Sequence, residues 1–408
     1  MLGGVLSGKK RRVAGVGTKT AGRTHETSRG IVAMPARPRE TVWAAEPHTI
    51  AKIKLLSAYL KAWFSILGTR PVRQGRDLLY VDGFAGPGEY RNYPDGSPTI
   101  AVQAAVSCLG THTDNWKAGD IHCAFIELDE ARLNHLEQRM KSVQTHPRVH
   151  LHFYTGTFAS QLRRVRADIP IGFQDDSPLF VFIDPFGATG VPFATVSDVL
   201  ASWCSEVLSN FDADGIARNL CNDHVLDEIF GDGSWHPVRN EHLSFEMQCR
   251  RLLSLYKEKL KGQPSVKHVF SFEMRGSDES LNYNLVFATG HPRGLEKMKQ
   301  AMKTIDQSGE YSFTDADVGQ PRLFRFDNPV EFARKMHETF AGKRLRPHQW
   351  DSWALDETPF VNAKKMLTFL EKNGRIEVEP TPGSSRKPGT FPEGKVRSIR
   401  FRALNEDA

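Results

Sequence analysis

The chain lacks paired cysteines. Its five (Cys108, Cys123, Cys204, Cys221 and Cys249) are scattered through 408 residues with no CxxC spacing. Neither a disulfide framework nor a zinc ribbon fits, and a reducing cytoplasm is the expected compartment. No stretch approaches the ~18–20 uncharged apolar residues of a membrane span, so no membrane association is expected. The basic Lys9-Lys10-Arg11-Arg12 is not followed by an apolar core, so a secretory signal is not expected either. His48, His122, His152, His236 and His291 fall at no metal-ligand spacing, and no metal is expected. There is no internal repeat. What the chain does have is 39% hydrophobic, 10% aromatic and 25% charged residues. That balance buries a sizeable core and excludes a disordered protein, and the length suits about two or three domains.

The formal charge of +6 has a local origin. Residues 1–33 hold seven Lys/Arg against Glu26, so the rest of the chain sums to zero. This Gly/Ser/Thr-rich segment without apolar periodicity reads as a disordered basic tail, taken as residues 1–40, able to contact nucleic acid nonspecifically. Translation from Met34 is the alternative reading.

Order begins near Trp43. Ile50, Ile53, Leu56, Tyr59, Leu60, Trp63, Phe64 and Leu67 have helical spacing, with Thr49 as expected N-cap and Gly68 as expected C-cap. Continuous apolar runs suit buried parallel strands at Leu78–Val81, Ile121–Leu128, Val149–Tyr154, Leu179–Ile183 and Glu206–Phe211. Helical stretches between them include Glu130–Val143 and Val191–Leu200. A long helical region, Asn240–Lys261, precedes strands Val266–Met274 and Tyr283–Thr289, joined by a Gly/Ser/Asp-rich hairpin turn at Arg275–Leu281. Five βα units closing in an antiparallel hairpin predict a doubly wound α/β, Rossmann-like sheet over residues 41–330. Residues 331–408 change pattern: helices, strand Ile376–Glu379, a Pro/Gly/Ser-rich loop and strand Val396–Phe401 resemble a small winged-helix domain.

Three constellations fall at expected carboxyl ends of strands, where doubly wound sheets hold ligands. The first is Asp82-Gly83-Phe84-Ala85-Gly86-Pro87-Gly88, whose glycines admit a ligand close to backbone N–H groups. Asp82 at its start would repel a pyrophosphate but suits a cationic amino-acid moiety such as the methionine end of S-adenosylmethionine. The second is Phe125-Ile126-Glu127-Leu128-Asp129. Glu127 can accept from a ribose diol, while Asp129 caps the helix that follows. The third is Asp184-Pro185-Phe186, where a carboxylate and turn carbonyls can orient an attacking amine and a ring can stack on a flat base. Each also has a bland reading: a structural glycine turn, a surface acid, an Asp-Pro turn.

Together, DGFAGPG, FIELD and FIDPFG resemble the cofactor, strand-two and catalytic motifs of class I methyltransferases. The opening WAAEPHT with its K–LL–YL–AW, YVDGFAGPGEY with GSPTIA, FIELDE, FIDPFGATG, NYNLVFATGHPRGLEKMKQAM and GTFPEG are similar to the three-Cys-motif partner (TcmP) family over about residues 43–402. The resemblance implies a methyltransferase-like fold with a winged-helix-like C-terminal segment, and a partner protein carrying the three-Cys motif. It implies that Asp82, Phe84, Gly86 and Gly88 border the methionine end of S-adenosylmethionine and Glu127 its ribose. Asp184, Pro185 and Phe186 would line the methyl-acceptor side. Where many relatives of this fold place an acid for the adenine amine, this chain has Thr157 as a weaker acceptor.

Residues 341–408 carry a surplus of +4, thirteen Lys/Arg against nine Asp/Glu. Lys364, Lys365, Arg386, Lys387 and Arg397 on the expected helix, loop and last strand form a candidate DNA or RNA surface, although interleaved Glu371, Glu377, Glu379 and Glu393 equally suit protein docking. Trp235 and His236 form a candidate lid beside the fifth strand. The leading expectation is an S-adenosylmethionine-dependent methyltransferase acting on an amino group of a nucleic-acid base. The alternative is a catalytically silent methyltransferase-like scaffold acting with a three-Cys-motif protein. A nicotinamide oxidoreductase is disfavoured by Asp82 and by the missing third-glycine spacing.

Overall fold

The structure, a computed structural model, describes residues 40–187, 191–275, 282–306, 312–314 and 328–404. The expected tail lies outside these residues apart from Glu40, and so does the expected hairpin turn beyond Arg275.

Helix α1 (Pro47–Thr69) begins earlier than the periodicity suggests, because Pro47 sits at its first position, where a missing N–H costs nothing. Thr49 is therefore inside the helix. Gly68 is inside it too; a Cβ there would meet the Trp116 ring at 2.1 Å, so the glycine serves close packing rather than a cap. Four βα units and a fifth strand follow: β1 (Leu78–Asp82), α2 (Ser97–Thr111), β2 (Ile121–Glu127), α3 (Glu130–Met140), β3 (Val149–Thr155), α4 (Phe158–Asp168), β4 (Leu179–Ile183), α5 (Phe193–Val199) and β5 (Ser205–Phe211). Asp129 caps α3 as expected, accepting from the N–H groups of Ala131 and Arg132.

Short helices α6 (Ala213–Arg218), α7 (Asp223–Phe230) and α8 (His236–Asn240) precede α9 (Phe245–Lys261). The long helical region expected over Asn240–Lys261 is continuous helix from Phe245, where Ser244 caps the Met247 N–H. Trp235 is not a lid. It is 0% exposed, and its indole N–H donates to Asp227 Oδ1 at 2.8 Å.

Strands β6 (His268–Arg275) and β7 (Asn282–Thr289), helix α10 (Pro292–Ile305) and the short β8 (Ser312–Thr314) complete one sheet in the order 3-2-1-4-5-7-6-8. Strands β1 to β5 run parallel, whereas β7 pairs antiparallel with both β5 and β6. This is the expected Rossmann-like sheet with its antiparallel hairpin, extended at the edge by β8, which pairs parallel with β6. The core strands β1 and β4 are buried at every position, which is why they read as unbroken apolar runs. One face is covered by α1, α2, α3 and α10, the other by α4, α5, α7 and α9.

After Asn328 a third core gathers α11 (Pro329–Phe340), β9 (Arg344–Leu345), α12 (Pro347–Glu357), α13 (Lys364–Lys372), β10 (Ile376–Pro380) and β11 (Val396–Phe401). Its strands form a separate antiparallel sheet in the order 10-11-9. Buried Lys299 of α10 holds this segment to the large sheet by donating to the carbonyls of Thr358 (2.6 Å) and Phe360 (3.4 Å).

Candidate functional site

At the carboxyl end of β1 the glycine turn is fixed from three sides. Gly86 and Gly88 have φ of 60° and 81°, values that L side chains adopt only with strain. The Gly88 carbonyl accepts from the Gly96 N–H (2.7 Å) and the Thr99 hydroxyl (2.6 Å), which ties the turn to the start of α2. A Cβ on Gly88 would strike Leu136 at 2.5 Å. Gly86 instead faces a cavity of about 170 Å³ and donates its N–H to Glu127 Oε2 at 2.9 Å.

This cavity is where the sequence candidates converge. Phe84, Gly86, Asp184, Pro185 and Phe186 line it. Glu127 stands behind Gly86, its other oxygen accepting from the Asp129 N–H at 2.9 Å. Gly88 packs against α3 rather than lining the cavity. Asp82 is fully buried and accepts from the Phe84 N–H and the Tyr80 hydroxyl, both at 3.3 Å. Burial lifts its carboxyl to about 7, against the hydrogen bonds from Ser97 and Phe84 that hold it down. Ser97, its partner, lines the cavity in its place. Thr157 caps α4 by accepting from the Ser160 N–H, so its hydroxyl is already partly engaged.

Four further side chains contribute. Trp43 packs edge-on against Tyr90 and Phe186 at 5.5 Å each, and the Arg132 guanidinium lies 4.9 Å from its ring. The strap that carries it is pinned by Asn92, whose amide accepts from the Ala45 N–H and donates to the Ala45 carbonyl. Lys52 of α1 reaches Asp184 Oδ2 at 2.5 Å. Asn210, at the end of β5, donates its amide N–H to Asp184 Oδ1 at 3.0 Å. That bond fixes the amide orientation, because an ionised carboxylate only accepts and the amide can donate only through its NH2. Asn210 Oδ1 is then buried with no partner among the described residues. Asp212 lines the same cavity, and burial pushes its carboxyl above the ordinary Asp range.

The candidate nucleic-acid residues lie apart from this cavity, in the C-terminal segment. Lys364, Lys365, Lys387 and Arg397 are exposed. Arg386 is not: it forms a two-pronged ion pair with Glu371 of α13, which also accepts from the Gly389 N–H. Arg397 lies 3.8 Å from Glu379. His122, His150 and His152 stack across β2 and β3, yet among the described residues no group of three or more His, Cys, Asp or Glu is arranged to hold a metal.

No family model matches the chain, and no curated protein matches it. Solved structures that resemble it include cofactor-bound Rv0187 from MTB, with 11% identity, 58% of this chain and 78% of that one covered, and a TM-score of 0.32. Others are the O-methyltransferase from Bacillus cereus in complex with SAH (13% identity, coverage 57% and 80%, TM-score 0.30) and the O-methyltransferase TomG from Streptomyces achromogenes, involved in tomaymycin synthesis, in complex with SAM (16%, 57% and 78%, 0.30). The likeness is one of fold. No helix among the described residues is long and apolar enough to cross a membrane.

Proposed function

We propose that the chain is an S-adenosylmethionine-dependent methyltransferase whose acceptor is an amino group of a nucleic-acid base. The observation that carries this reading is the unpartnered Asn210 Oδ1, buried beside the Asp184 carboxylate in a cavity at the carboxyl end of the sheet. A buried acceptor without a donor is costly. A substrate that brings an N–H satisfies it.

The residues present fit the cofactor. Each Glu127 oxygen takes one backbone N–H and keeps a lone pair for a ribose hydroxyl. Trp43, Phe84 and Phe186 supply flat apolar walls, and Asp82 behind Ser97 favours a nearby cation. Thr157 is assigned a minor part at the adenine. S-adenosylmethionine supplies an electrophilic methyl group on a sulfonium. The chain's own part is to orient and to exclude water. Asn210 Oδ1 accepts one acceptor N–H, Lys52 and Asn210 hold Asp184 in place, and Phe186 offers a face to the base. Asp212 is the group suited to hold the proton that the acceptor releases, since burial raises its carboxyl.

In this reading residues 41–330 are the catalytic domain and 331–408 a winged-helix-like domain. Exposed Lys364, Lys365, Lys387 and Arg397 would contact phosphates, with Arg386 acting as a loop anchor beside them. The motif likeness to three-Cys-motif partners adds a partner protein, and the scattered, unpaired cysteines suit a cytoplasmic setting. The same ion pairs, Arg386 with Glu371 and Arg397 with Glu379, favour the second reading, a scaffold that docks protein through this segment. Calorimetry with S-adenosylmethionine on the wild type and Glu127→Ala separates the two. Saturable binding lost in the variant is expected; no binding to folded wild type would leave the scaffold.

A further inference from the structure

We infer that a second pocket, at the opposite end of the sheet, binds an organic anion with a flat apolar body. It lies where β4 and β5 begin, beside Pro178 and Ser205, whereas the proposed cofactor cavity lies where these strands end. Its volume is about 110 Å³. Tyr59, Trp63, Ile66 and Leu67 of α1 form an apolar wall, and Trp203 stands at the mouth with 59% of its surface exposed.

The rim is cationic. Arg70, Arg73, Arg293 and Lys297 all line it, along with His291. The only acid among the lining residues is Glu206, and its oxygens turn inward to accept from the Tyr59 and Thr289 hydroxyls, each at 2.6 Å. Arg73 donates to the Cys204 thiol at 3.2 Å, and Arg293 pairs with Glu296 on its own helix. Arg70, Arg73 and Lys297, none with a carboxylate partner among the described residues, make a local field over the apolar slot that a bound anion relieves. Burial first, and then Arg70, hold the His291 imidazole below the usual range.

An exposed tryptophan ringed by arginines also resembles a stacking platform for single-stranded nucleic acid. The inward apolar wall of α1 favours a small ligand instead, since a strand stacked on Trp203 would leave that wall empty.

The test uses 8-anilinonaphthalene-1-sulfonate, a flat apolar body with a sulfonate, titrated by fluorescence into the full chain. The expected result is one saturable site, weakened about tenfold in Arg70→Glu and in Trp203→Ala while their melting temperatures stay unchanged. S-adenosylmethionine should leave this binding intact. Wild-type affinity in both variants, or displacement by S-adenosylmethionine, would overturn the inference, and neither outcome bears on the cofactor cavity. Displacement by a single-stranded oligonucleotide at lower concentration than by benzoate would make the pocket a nucleic-acid platform and equally overturn it.

Discussion

Lys52 Nζ and Asp184 Oδ2 are 2.5 Å apart, joining the first helix to the carboxyl end of the fourth strand across the candidate acceptor site. The two side chains are 9% and 20% exposed, so little water screens the pair. Lys52→Met leaves a mostly buried carboxylate with Asn210 as its one remaining partner among the described residues. The expected loss is about 2–5 kcal/mol of stability. The double variant Lys52→Met/Asp184→Leu should recover most of it in chemical denaturation. A double variant no more stable than Lys52→Met would mean that the pair contributes little.

Asp82 should make stability fall as pH rises. Its folded carboxyl titrates at about 7 because of burial, while an unfolded Asp titrates near its ordinary 3.8. Between these values the folded chain holds a proton that the unfolded chain has released, so stability contributed by the group is full below about 4 and lost through about 7. Asp82→Asn removes the dependence, which thermal melts from pH 4 to 8 can read. If Asp82 also serves the cofactor, wild-type affinity for S-adenosylmethionine rises through pH 7, and that of the variant does not.

The histidine stack has the opposite sign. Burial, then His122 and His150, push His152 down to about 4, and burial also lowers His122. Unfolded imidazoles titrate near 6.5 and bind protons first as the solution is acidified. The contribution to stability is present above 6.5 and lost towards 4. Melts of His152→Phe should fall less steeply than wild type over this window.

In the C-terminal segment, burial pushes Glu371 up, but Arg386 and the Gly389 N–H more than reverse this. Glu371→Gln should therefore free the loop of residues 381–394. Hydrogen exchange there is expected to speed up at least tenfold while α1 and β1 stay protected. Unchanged loop exchange would show that the pair is not the anchor.

The sheet was legible because its central strands are buried on both faces and read as unbroken apolar runs, Leu78–Asp82 and Leu179–Ile183 above all. The turn residues at the strand ends were legible for a related reason: Asp, Gly and Pro interrupt those runs abruptly. Lys52 was not, although its signal was present. It falls on the buried face of α1 in register with His48, Leu56 and Tyr59, a position where an unpaired lysine is costly. Its partner lies 132 residues away, and only the folded sheet brings them together. The Arg386–Glu371 pair was not legible for the same reason, since charge counts do not separate a free guanidinium from one folded onto a glutamate. Asn210 was legible only as a residue at the end of the fifth strand, near the sheet's carboxyl edge; its role comes from the bond that fixes its amide.

The most direct measurement is transfer of a labelled methyl group from S-adenosylmethionine to pooled single-stranded DNA, duplex DNA and RNA, comparing wild type with Asn210→Leu. The account predicts label on a base amino group with wild type and at least a hundredfold less with the variant, while cofactor binding stays intact in both. Intact cofactor binding without transfer to any pool by wild type would contradict it, as would equal transfer by the variant.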